Sequence, residues 1–135
     1  VTSRTDRISS MAAVPTAVRA LRGATTTDAD TAEAITARTV ELLEAMFERN
    51  GVHHDDLISI LFTATPDLVA TFPATGARTV GLGDVPLICA QEIAVPGSMP
   101  RCIRVLAHLT TDRARGELHH VYLHEAAGLR DDLPA

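Results

Sequence analysis

The chain has 135 residues and a formal net charge of −5, and all 12 of its basic side chains are arginine. The absence of lysine excludes Schiff-base chemistry, lysine-assisted nucleophiles and a lysine-bearing phosphate-binding loop. A high-GC genome, to which the 21 alanines also point, accounts for the bias without lifting those exclusions. An acidic chain with one Tyr, three Phe and no Trp carries no nucleic-acid footprint, so no such partner is expected. Its length suits a single domain with a real core.

Cys89 and Cys102 make neither a disulfide framework nor a metal motif, so a reducing cytoplasmic setting is expected. No apolar run reaches 18 residues, and no membrane partner is expected. Residues 1–16 are polar, lack the apolar centre of a signal peptide, and read as a disordered or loosely attached extension to one domain at 17–135.

The first expected element is a strand over Val18–Thr25, with Val18, Ala20 and Arg22 on one face and Arg19 and Leu21 on the other. Gly23 and Thr25–Thr27 break that pattern and lead into a helix, with Asp30 and Glu33 as its capping pair. Ile35, Val40, Leu42, Leu43, Met46 and Phe47 form a wide apolar stripe, and Asn50-Gly51 ends it. Leu57–Thr65 is almost wholly apolar and β-branched, which predicts a strand buried on both faces. After Phe72-Pro73 a short helix is expected over Ala74–Val80, then a turn at Gly81–Asp84 and a strand over Val85–Cys89. Arg101–Thr110 alternates best, with Ile103, Val105, Ala107 and Leu109 facing one way and Cys102, Arg104, Leu106 and His108 the other. A last strand is expected over His119–His124, with Val121 and Leu123 inward and His120, Tyr122 and His124 opposite. The order β-α-β-α-β-β-β predicts an α+β domain, a mixed sheet with its helices on one face.

Arg104 stands out because a charge at mid-strand is costly unless it is paired or faces a wet cavity. Arg22 closes the first strand on an apolar-flanked face, Tyr122 needs a partner for its hydroxyl, and Glu92 follows a buried-looking strand end. Several arginines with one carboxylate suit a small polycarboxylate, which a planar guanidinium grips in bidentate fashion. His120 and His124 share a face with Tyr122 but have no third ligand at a recognisable spacing, so no metal is expected. There is no G-x-S-x-G elbow, and Gly81-x-Gly83 does not extend to a dinucleotide fingerprint.

Seven segments occur in order: RGATT from Arg22, ATPDL from Ala64, FPA from Phe72, C-x-Q-E from Cys89, CIRV from Cys102, HVYL from His120 and LRxDL from Leu129. Together they resemble the monofunctional, AroH-class chorismate mutases, over roughly residues 17–133. The resemblance implies rearrangement of chorismate to prephenate, on the route to phenylalanine and tyrosine, in a homotrimer with a pseudo-α/β-barrel core and active sites at subunit interfaces. It implies that Arg104 meets the breaking ether oxygen, that Glu92 meets the ring hydroxyl with Cys89 beside it, and that Arg22 and Tyr122 hold the side-chain carboxylate region. Phe72, Ala74, Leu87, Ile88 and Leu129 then match wall residues, and Arg78 and Arg130 match arginines at the rim. Thr75 stands where a relative has lysine, and Thr79–Asp84 is one residue shorter. The implied reaction is pericyclic and calls for no cofactor. A non-catalytic trimeric carboxylate-binding module, or a small-ligand deaminase of similar trimeric fold, is the competing reading. Glu92 beside Arg104 discriminates, since a plain carboxylate binder needs no acid next to its anion site.

Overall fold

The computed structural model describes residues 16–130, with the backbone alone at Arg130. The expected extension therefore lies outside the described residues except for Thr16, as do Asp131–Leu133 of the last motif. Five strands form one mixed sheet: β1 (Ala17–Thr26), β2 (Leu57–Ala64), β3 (Leu87–Gln91), β4 (Cys102–Thr111) and β5 (Val121–Tyr122), in spatial order β3-β2-β4-β1-β5. The long strand β4 lies at the centre, antiparallel to both β1 and β2, while β3 and β5 add parallel strands at the two edges. Helices α1 (Ala32–Asn50) and α2 (Ala74–Thr79) cover one face, in the α+β arrangement expected from the element order.

From Ile103 onward the alternation expected in β4 is the alternation observed, whereas Cys102, expected on the Arg104 side, is buried. Ile103, Val105, Ala107 and Leu109 are buried on the helix side, whereas Arg104, Leu106 and His108 are exposed or half-buried on the open side. Leu42, Leu43, Met46 and Phe47 of α1 pack on that buried face with Leu21, Ile60, Phe62 and Val121. Each fully buried side chain of this size contributes about 1.5–3 kcal/mol.

Several boundaries differ from expectation for identifiable reasons. β1 runs unbroken through Gly23 to Thr26, because the glycine lets α1 approach the strand: an added Cβ would lie 2.4 Å from Met46 Sδ. The helix cap is Thr31, whose Oγ1 accepts the Ala34 N–H at 3.1 Å. Asp30 instead accepts the Val69 and Ala70 N–H groups at 2.9 and 3.0 Å, tying the loop after β2 to the start of α1. β3 begins at Leu87 rather than Val85, whose side chain is buried in the core beneath the preceding turn. β2 is buried on one face only within the chain. Ile60 and Phe62 enter the core, but Ser59, Leu61 and Thr63 are half-buried because both helices lie on the other side. A register shift between Leu57 and Ser59 adds an exposed Ile58.

The last strand keeps only two residues of the expected six. Buried Asn50, beyond its expected role at the helix stop, grips the preceding backbone: its Nδ2 donates to His119 O at 2.9 Å and its Oδ1 accepts the His119 N–H at 2.6 Å. His124, at a φ of 54°, turns the chain into a 3-10 segment (His124–Arg130). Its imidazole therefore reaches Glu41 of α1 at 2.7 Å and does not share the face of Tyr122 as expected. Among the described residues no helix is long and apolar enough to cross a membrane.

Candidate active site

Register brings the chemistry-bearing residues into one line. On the open face Tyr122 lies opposite Ala24, Ala24 opposite Arg104, and Arg104 opposite Thr63. The row therefore crosses β5, β1, β4 and β2 in sheet order. Arg22 and Leu106 face each other one alternation further along, and Leu61 follows next to Leu106. Ala24, small and buried, leaves room between the phenol and the guanidinium. These side chains line a concavity of about 230 Å³ together with Glu92.

Glu92 arrives from just beyond β3, where its backbone N–H donates to Ala64 O at 2.9 Å and extends the parallel pairing by one step. Its Oε2 accepts a hydrogen bond from the Thr63 hydroxyl and lies 3.5 Å from Arg104 Nε. That separation exceeds a normal N–H···O bond, so the arginine is drawn to the carboxylate without being clamped by it. The Arg104 side chain keeps 47% of its surface accessible, and its guanidinium remains open to an incoming anion. At the other end the Arg22 N–H donates to His120 Nδ1 at 3.0 Å, which seats the histidine against β1 beyond the two paired residues of β5.

Four of the expected site residues, Arg22, Glu92, Arg104 and Tyr122, thus meet in one concavity. The rest lie elsewhere in the chain. Phe72, 67% exposed, and Cys89 line a second concavity of about 560 Å³ around the loop after β2. Cys89 and Leu87 pair with Phe62 and Ile60 and pack toward the core, whereas Ile88 pairs with Leu61 and stands 64% exposed. Ala74 is buried where α2 meets the core. Thr75, half-buried, shares a 3.4 Å hydroxyl contact with Thr71, and Arg78 is exposed on α2. Leu129 is half-buried in the last 3-10 segment, and the side chain of Arg130 lies outside the described atoms.

Sequence reading missed Thr63, Leu61 and Ala24 as parts of this surface, and placed Leu106 on the Arg104 face without counting it among the site residues. The run Leu57–Thr65 is apolar on both parities, so nothing in it marks which residues share a face with Arg104. Among the described residues no group of three or more His, Cys, Asp or Glu side chains is placed to hold a metal ion. Cys102, buried at the start of β4 two residues before Arg104, has its thiol pushed up by burial and by nearby carboxylates against the opposing pull of Arg104.

The family model described as "Chorismate mutase type I" matches residues 18–133. The chain belongs to the type I chorismate mutases. It is 50% identical over 117 residues to chorismate mutase AroH of Thermus thermophilus, covering 86% of this chain and 96% of the relative. It is 43% identical to chorismate mutase AroH of Bacillus subtilis strain 168, covering 86% and 92%. The solved structure of a chorismate mutase from Clostridium thermocellum superposes with a TM-score of 0.81 at 49% identity, covering 82% of this chain and 98% of the other. As a chorismate mutase, the chain has a mixed five-stranded sheet that carries an arginine-carboxylate pair on its uncovered face.

Proposed function

We propose that this chain rearranges chorismate to prephenate, and that the concavity over Tyr122, Ala24, Arg104 and Thr63 is the part of the active site each chain supplies. The observation that carries the reading is the Arg104–Glu92 arrangement. A guanidinium and a carboxylate stand 3.5 Å apart with the cation still accessible, beside Arg22 and Tyr122.

The substrate is a dianion that must be held in a compact diaxial form, and the reaction is an intramolecular [3,3] shift. Positioning and charge stabilisation are therefore what the protein has to provide. Arg22 and Tyr122 hold the carboxylate of the enolpyruvyl arm, and Glu92 accepts the ring hydroxyl. As the C–O bond breaks, negative charge grows on the ether oxygen, and Arg104 donates to it. Because that charge is larger in the transition state than in the substrate, the contact lowers the barrier rather than merely tightening binding.

A homotrimer with its sites between subunits completes the reading. Two features support it. The concavity, about 230 Å³, is smaller than the usual 300–1,000 Å³ of a small-molecule pocket. Phe72, Thr75 and Arg78 lie outside it, and Ile88, Ile93 and Val95 are exposed apolar side chains that a neighbouring copy would cover. Two free cysteines and a reaction that needs no disulfide suit the cytoplasm.

The test follows the loss of chorismate absorbance and the appearance of prephenate with the purified chain and with Arg104→Ala. The wild-type chain should turn over, and the variant should lose about 10²–10³ in kcat, the usual cost of one such donor. No turnover by the wild-type chain would overturn the activity. A variant near the wild-type rate would remove Arg104 from the role given to it.

A further inference from the structure

We propose that Thr63 is a positioning residue for this reaction: its hydroxyl holds the Glu92 carboxylate off Arg104 and so keeps the guanidinium free for the substrate. The inference rests on the reading of the site given above and extends it to a residue in the middle of β2.

Three observations carry it. Thr63 faces Arg104 directly across the β2–β4 ladder and lines the same concavity. Its Oγ1 donates to Oε2 of Glu92, the very oxygen that approaches Arg104 Nε at 3.5 Å. Glu92 is anchored through its backbone N–H to Ala64 O at 2.9 Å, which leaves the side-chain torsions as its remaining freedom.

An unrestrained carboxylate this close to a guanidinium closes into a short, bidentate, charge-assisted pair. Such a pair would tie up the donors that the ether oxygen needs and lower the effective charge of Arg104. The Thr63 hydroxyl competes for the carboxylate oxygen nearest the arginine and holds it beyond normal hydrogen-bond length. Oε1, the oxygen that Thr63 does not engage, then stays available for the ring hydroxyl of the substrate. Loss of the hydroxyl should therefore appear mainly in kcat, because Arg104 acts on the transition state.

The experiment compares Thr63→Val, which keeps the β-branched shape, with Thr63→Ser, which keeps the hydroxyl, and repeats Thr63→Val in a Glu92→Gln background. Thr63→Val should lower kcat by about tenfold, the scale of one hydrogen bond to a charged group, with a smaller change in KM. Thr63→Ser should stay within about threefold of the wild-type chain, less than the worth of one such bond. In the Glu92→Gln background, where no ion pair can form, Thr63→Val should cost little further. A wild-type kcat in Thr63→Val overturns the assignment, as does an equal loss in Thr63→Ser or an undiminished loss in the Glu92→Gln background. A wild-type chain that does not turn over chorismate overturns the underlying reading, and this assignment with it. Melting temperatures of all variants separate these outcomes from unfolding.

Discussion

Replacing Gly23 with alanine would test how the site is supported from beneath. Gly23 lies in β1 between Arg22 and Ala24, with Val105 and Val121 as its register partners, and faces α1. A Cβ there would sit 2.4 Å from Met46 Sδ and 3.1 Å from both Met46 Cγ and Leu42 Cδ1. Carbon contacts are comfortable at about 3.5–4.0 Å, so the sulfur would have to move by roughly 1.1–1.6 Å. Met46 and Leu42 are fully buried, and there is no solvent for them to move into. Overpacking of this kind costs about 1–3 kcal/mol. The reduced freedom of the unfolded chain returns about 0.4–1 kcal/mol, so the steric cost wins with a net loss near 1–2 kcal/mol. For a domain of this size, that lowers Tm by about 3–10 °C. Thermal melting of Gly23→Ala, Met46→Ala and the double variant checks the argument, because shortening the methionine removes the clash. The double variant should melt at or above Met46→Ala alone, a coupling of at least about 0.5 kcal/mol. An unchanged Tm in Gly23→Ala, or strict additivity in the double variant, would refute the claim that this glycine exists for helix–strand contact.

Other expectations concern charge geometry, assembly and acid stability. Arg104→Lys should restore little of the activity lost in Arg104→Ala, since an ammonium replaces a planar fork as a point charge; recovery of most of kcat would show that charge alone suffices. Sedimentation at working concentration should give three times the chain mass, and a monomer that is fully active would rule out sites shared between subunits. The Asp67 carboxyl is subject to burial, which alone would raise its pKa. It is nevertheless held below its ordinary range by the Thr65 hydroxyl at 2.5 Å, by the Arg101 N–H at 2.9 Å and by the charge of Arg101. A lowered folded-state pKa contributes stability that is present above the unfolded value and is lost as pH falls through the folded one. Asp67→Asn should therefore lower Tm at neutral pH and flatten the decline of Tm in acid below about pH 4, and parallel Tm–pH curves would contradict this.

Much of the fold was legible because local periodicity records which side of an element meets the core. The stripe on α1 and the alternation of β4 each describe one buried face, and both appear as read except that Val40 is half-buried and Cys102 is buried. The two sides of β2 were not legible, since the run is apolar on both parities and only the position of the helices decides which parity is covered within the chain. The end of the chain misled for a different reason. The alternation of His119–His124 is real, but Asn50 pins the backbone at His119 and the turn at His124 carries its imidazole to Glu41.

For the site the division is similar. A mid-strand Arg104, an Arg22 read as a strand end but lying inside β1, and a Glu92 beyond a strand are each conspicuous in the sequence because isolated charge in a sheet must be answered by something. What answers it depends on strand order, which no local pattern encodes. Placing β4 between β1 and β2 sets Ala24 and Thr63 on either side of Arg104. The parallel partners β5 and β3 bring Tyr122 to the same line and Glu92 to its edge. The sequence by itself therefore determined the family, most of the element types, the inward faces of α1 and β4, and the absence of lysine from any mechanism. Only the tertiary structure decided that Thr63 lines the concavity beside Arg104 and Glu92, and that Phe72, Thr75 and Arg78 do not share that concavity within the chain. The reason is physical: inward and outward faces are set by neighbours a few residues apart, whereas a row across a sheet is set by pairings between residues separated by tens of positions.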